Sequence, residues 1–207
     1  MEIKMYGRIL TGGGRFYTYL GPLFAAIGQR QEQYNWLITD FEGGFPLEEC
    51  VRLNRRNLRE RYAWIDGGTL TRLAGQGNAQ WSWGVFSGFD RSVTLKQALE
   101  YDLPWADGNP GFWKNPVSVQ HPLAQMEIVA WDNASTILIS RDHEAVREFA
   151  AAFPDSMDLE RYNEAVAAPV QSAAFVAWLR RNGGRLRAGA AAGEIRWRSG
   201  ADRVSGR

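Results

Sequence analysis

Apolar and polar residues alternate with the period of a half-buried strand at the N-terminus, where Ile3, Met5 and Ile9 interleave with Glu2, Lys4, Tyr6 and Arg8. Beyond Thr11-Gly12-Gly13-Gly14 the spacing becomes helical, with Phe16, Leu20, Leu23, Phe24 and Ile27 on one stripe that Gly21-Pro22 should kink or restart. Residues 35–41 read as extended. Leu47, Val51, Leu58 and Tyr62 then suggest a helix with Glu48 and Glu49 in its first turn, where the helix dipole favours anions. Residues 80–86 predict a strand with Trp81, Trp83 and Val85 on one face. Thr94 with Gln97 three positions on has the spacing of a capping box, and that helix must stop before Pro104.

The clearest punctuation lies between Met126 and Asn163. Two apolar runs, Met126–Trp131 and Thr136–Ile139, flank the turn Asp132-Asn133-Ala134-Ser135, and both are apolar enough to be interior strands. Ser140 is placed to cap a helix with Asp142 and Glu144 in its first turn, and Val146, Phe149, Ala150 and Phe153 form its buried stripe before Pro154. A shorter helix from about Asp158 presents Leu159, Tyr162 and Val166, and Phe175, Val176 and Leu179 suit one more beyond Pro169.

Strands near 2–10, 35–41, 80–86, 126–131 and 136–140, irregularly interleaved with helices, predict an α+β domain with a mostly antiparallel sheet of about five strands. The domain should run over residues 1–168. Residues 169–207 would add a C-terminal helix and a basic, Arg/Ala/Gly-rich tail. From Leu103 to Pro122 no periodic pattern is visible, and prolines, glycines and the aromatics Trp105, Phe112 and Trp113 crowd together. Long loops of that kind usually carry function or flexibility.

Composition narrows the chemistry. The chain has 207 residues and a net charge of +1, but from Arg180 onward eight arginines face two acids, so the tail carries +6 and the body −5. A basic arm of this kind can contact nucleic acid, although dispersed arginines with the single Trp197 are better read as a loosely packed extension. No apolar run reaches the roughly 18 residues of a membrane span, and the N-terminus lacks the apolar stretch of a signal peptide, so a soluble, cytoplasmic protein without a membrane partner is expected. The lone Cys50 makes no disulfide within the chain, and His121 and His143 have no zinc spacing, so neither a metal nor another cofactor is expected.

Each chemical candidate has a plainer structural reading. Gly12-Gly13-Gly14 lacks both phosphate-loop signatures and reads as a flexible turn. Cys50 with His121 or His143 as base would make a thiolate nucleophile, but a cysteine beside Val51 in an apolar pattern is more often a small buried hydrophobe. Asp66-Gly67-Gly68 and Asp132-Asn133 are turn residues by type. No catalytic residue is assigned, and an alternative enzyme reading rests on a pocket joining His121 to an acid. Arg52, Arg55, Arg56, Arg59 and Arg61 cluster on the expected helix, and the first four share one face and are the alternative nucleic-acid contacts. The aromatic loop offers Trp105, Asp107, Phe112, Trp113 and Lys114 as a partner-binding set, since loop aromatics flanked by charges are typical interface anchors.

The order Trp131-Asp132-Asn133-Ala134-Ser135-Thr136-Ile137-Leu138-Ile139, then a helix ending at Phe153-Pro154, then Asp158-Leu159-Glu160-Arg161-Tyr162-Asn163, resembles small uncharacterised bacterial families that include polymorphic-toxin immunity proteins. The resemblance implies a single-domain cytoplasmic protein without catalysis of its own that neutralises a cognate protein toxin by direct contact. The segment after Pro169 has no counterpart in that pattern.

Overall fold

A computed structural model describes residues 4–11, 18–44, 47, 50–54, 61–76 and 80–167. Its strands are β1 (Tyr6–Thr11), β2 (Tyr34–Gly43), β3 (Val51–Leu53), β4 (Arg61–Asp66), β5 (Trp81–Asp90), β6 (Met126–Trp131), β7 (Ser135–Ser140) and β8 (Met157–Asp158). They form one sheet in the order β3-β4-β2-β5-β6-β7-β1-β8, and every neighbouring pair is antiparallel. The α+β class holds, with eight strands among the described residues where the sequence pattern suggested about five. The helices are α1 (Leu20–Ala26), α2 (Gly67–Ala74), α3 (Leu95–Ala98), α4 (His143–Ala152) and α5 (Leu159–Ala167).

Both faces of the sheet are covered, which is why β6 and β7 are buried at all six positions each. On one face α1, α2 and α4 bury Leu23, Phe24, Leu70 and Phe149 against Trp36, Ile38, Phe86, Ile128 and Leu138. On the other, Val85, Val129, Ile137 and Ile139 pack under Leu159 of α5 and under Ala106, Phe112 and Val117 of the long connection before β6. Leu37, Tyr62 and Phe89 continue that face beneath Ala98, Leu103 and Ala124. The stretch without a periodic pattern is therefore a lid over half of the core.

Local signals formed as expected in several places. Pro22 sits in the first turn of α1, where its missing N–H has no helical partner to lose. Thr94 and Gln97 make both bonds of the capping box on α3. Asp132 and Asn133 take left-handed backbone, with φ of 50° and 52°, in the turn between β6 and β7.

Other expectations are corrected. At its described residues the stretch Leu47–Tyr62 carries strands where a helix was expected: Val51 pairs with Ala63 and Leu53 with Arg61 across β3 and β4. Leu47 and Tyr62, spaced as if on one helical stripe, lie in clusters on opposite faces of the sheet. The helix α4 is capped by Asp142, whose Oδ1 accepts from the amides of Glu144 and Ala145, while Ser140 Oγ accepts from the Asp142 amide. Trp81 does not share a face with Trp83 and Val85. It packs edge-on against Phe86 with ring centroids 4.8 Å apart, because β2 shifts register against β5 between Thr39 and Gly43.

One helix was absent from the sequence reading. Asp66 caps α2 through the Thr69 amide at 2.9 Å, so the apparent turn Asp66-Gly67-Gly68 is a helix start. Gly67 is required there by close approach, since a Cβ would come within 2.1 Å of the Gln31 carbonyl oxygen. Gly12-Gly13-Gly14, Arg55, Arg56, Arg59 and residues 168–207, the C-terminal helix and tail among them, lie outside the described residues. No helix among the described residues is long and apolar enough to cross a membrane.

Candidate functional site

At the far end of β2 the strand bulges. Regular pairing with β5 is lost between Thr39 and Glu42, and Asp40 adopts a left-handed φ of 46°. A bulge kinks its strand and re-aims side chains, and aspartate is one of the few residues that tolerates this conformation. Asp40 Oδ2 accepts hydrogen bonds from the backbone amides of Ala106 at 2.7 Å and Asp107 at 3.1 Å. Thr39 Oγ1, on the neighbouring residue, donates to the Pro104 carbonyl at 2.7 Å. Two adjacent residues of β2 thereby fasten the segment that carries Trp105.

That segment is also braced from behind. The buried Asn109 donates through Nδ2 to the Trp105 carbonyl at 2.8 Å and accepts through Oδ1 from the Gly111 amide at 2.8 Å. Backbone polar groups are satisfied on both sides of Trp105, so its main chain is held while the residue remains 50% exposed.

Between this segment and the sheet lies a cleft of about 300 Å³ lined by Thr39, Asp40, Phe41, Arg61, Leu103, Pro104 and Trp105. Its size is at the lower limit of small-molecule pockets and suits one or two side chains. Arg61, the first residue of β4, places its guanidinium carbon 5.3 Å from the Phe41 ring centroid, a cation–π contact. The cleft therefore joins an aromatic anchor, a proline wall, one cation and a carboxylate already engaged by two amides.

The structure divides the residues that the sequence nominated for partner binding. Trp105 and Asp107 belong to the cleft segment, and Asp107 is exposed. Phe112 is 1% exposed and belongs to the core, so its contribution is to hold the lid in place. Trp113 is half-buried, edge-on to Trp131 with centroids 4.7 Å apart and tilted on Tyr162 of α5 at 5.9 Å. Lys114 is exposed beside it, and Asn163 of α5 donates to the Phe112 and Lys114 carbonyls. Of the arginines considered for nucleic acid, Arg52 is exposed on the edge strand β3.

His121 is fully buried. Its Nδ1 accepts from the Leu123 amide at 3.2 Å and its Nε2–H donates to the Ala98 carbonyl at 3.0 Å, so the two backbone partners define the neutral tautomer. Burial holds its pKa below the ordinary histidine range, and Phe89 and Tyr101 pack edge-on against the ring. The acid bonded to His121 is Glu127, which accepts from the His121 backbone amide at 2.9 Å, while both ring nitrogens are taken by backbone partners. Cys50 is half-buried against the helix-covered core, and the His143 ring lies 4.4 Å from that of Tyr6. Among the described residues no three His, Cys, Asp or Glu side chains group as metal ligands would.

The buried Glu127 and the place of Arg61 beside Trp105 are not apparent from the sequence. Glu127, in the middle of the apolar run of β6, is fully buried and accepts from Ser87 Oγ at 2.9 Å and from the amides of Gln120 at 2.6 Å and His121 at 2.9 Å. Desolvation outweighs those bonds and pushes its carboxyl up to about 7. A lone carboxylate between apolar neighbours was the available signal. Arg61, by contrast, was hidden by its place in a run of arginines on an expected helix, and nothing local linked it to Trp105. No family model matches this chain, and no curated protein or solved structure matches it either.

Proposed function

We propose that this chain is a cytoplasmic, non-enzymatic binding protein of immunity type, which neutralises a cognate protein toxin by docking it over Trp105 and the adjoining cleft. The observation that carries the reading is the combination of a half-exposed tryptophan with a fastened backbone. An aromatic anchor held before binding loses little conformational freedom when a partner arrives, which is how a few residues come to dominate an interface. The acidic body inferred from the charge distribution supports the same reading, since it suits a basic partner surface and suits nucleic acid poorly.

The test is complex formation with the protein encoded by the adjacent reading frame. Trp105→Ala should weaken the complex by roughly tenfold to a hundredfold, the range of an interface hot spot. A tight complex with unchanged affinity in both Trp105→Ala and Trp113→Ala would take the loop out of the interface.

A further inference from the structure

We propose that the cleft recognises a carboxylate of the protein partner, an Asp or Glu side chain seated on Arg61 with its apolar neighbour against Trp105. The inference deepens the proposed function and rests on it. Arg61 is exposed and lines the cleft, with the Phe41 ring centroid 5.3 Å from its guanidinium carbon, and among the described residues its guanidinium has no hydrogen-bond or ion-pair partner. The cation–π contact holds the guanidinium at the cleft without supplying a hydrogen-bond acceptor, and a planar guanidinium with free N–H donors takes a carboxylate through two parallel hydrogen bonds.

The surroundings define the charge of the ligand. One arginine lines the cleft, and Asp40 lines it too, with Oδ2 already occupied by the amides of Ala106 and Asp107. A single cation beside an acid suits one negative charge and repels a polyanion such as a nucleic-acid backbone, which needs several cations along its length. A volume of about 300 Å³ admits one or two side chains. Leu103, Pro104 and Trp105 then supply the apolar wall for the residue next to the acid.

The experiment uses the full chain, with acetyl-Leu-Glu-Leu-amide and acetyl-Leu-Gln-Leu-amide as probes and inorganic phosphate as a third. Binding is read by NMR from the Trp105 indole and Arg61 Nε–H resonances, assigned with Trp105→Ala and Arg61→Gln. The Glu peptide should shift both resonances saturably and bind roughly tenfold more tightly than the Gln peptide, and Arg61→Gln should erase that difference. Equal affinities for the two peptides, or tighter binding of phosphate, would overturn the carboxylate assignment while leaving Trp105 as an anchor. If neither peptide moves the Trp105 resonance, both the assignment and the docking role of Trp105 fall.

Discussion

Asp40 and Ala106 are 66 positions apart in sequence, and a hydrogen bond of 2.7 Å from the Ala106 amide to Asp40 Oδ2 joins them. The bond exists because a bulge in β2 turns an acidic side chain toward the backbone amides of the buried Ala106 and the exposed Asp107. It determines where Trp105, the residue before Ala106, stands over the cleft.

Replacing Asp40 with Ala should therefore loosen the segment more than the sheet. The expected loss of stability is roughly 1–2 kcal/mol, since a charge-assisted bond at an exposed position is lost and alanine tolerates left-handed backbone poorly. Asp40→Asn keeps both an acceptor and the backbone tolerance, and should recover most of it. Amide exchange at Ala106 and Asp107 is the measurement: acceleration in Asp40→Ala alone supports the tether, and equal protection in all three proteins removes it.

The aromatic residues of the lid should separate into two classes. Phe112→Ala should cost about 3–5 kcal/mol of unfolding free energy, the usual penalty for emptying a large core site. Trp105→Ala should cost less than about 1 kcal/mol, because the residue is half exposed. Chemical denaturation of both variants decides it, and similar losses would mean that Trp105 is a packing residue.

Glu127 predicts a stability that depends on pH. Its folded pKa, about 7, lies above the ordinary glutamate value of 4.5, so the folded state holds its proton more strongly than the unfolded chain does. The associated stability, on the order of 3 kcal/mol, is fully present below about pH 4.5 and is lost as the pH rises through about 7. Glu127→Gln cannot titrate, and it turns an amide N–H₂ toward one of the backbone donors that Glu127 now accepts. The variant should be less stable than the parent at pH 5, with the gap closing or reversing by pH 8. Parallel stability curves for the two proteins would contradict the shift.

His121 contributes with the opposite sign. Its pKa is lowered by burial, so its stabilisation is present above the unfolded value near 6.5 and is lost as the pH falls through the lower folded value. Nitrogen chemical shifts of the ring should report the neutral tautomer with hydrogen on Nε2, persisting below pH 6.5. A ring that titrates at or above 6.5 would mean that the site admits water.

How much of this was legible in the sequence depended on how far apart the cooperating residues lie. The capping box of Thr94 and Gln97, the turn at Asp132-Asn133 and the two apolar runs around it are decided within a few residues, and each formed as the pattern implied. The stretch Leu47–Tyr62 shows the opposite case. Its apolar spacing fits a helix, but pairing of Val51 with Ala63 made strands of its two ends, because partners in a sheet override weak local preference.

The sequence by itself determined the class of fold, the hairpin of β6 and β7 and the composition of the aromatic stretch. Only the tertiary structure decided that Phe112 packs inward while Trp105 stands exposed, that Glu127 is buried among apolar neighbours, and that Arg61 and Phe41 share a cleft with Trp105. The physical reason is that periodicity reports which side of its own element a residue faces. A cleft is made by the distance between elements, and here that distance is held by bonds such as the one from Ala106 to Asp40, which no local pattern encodes.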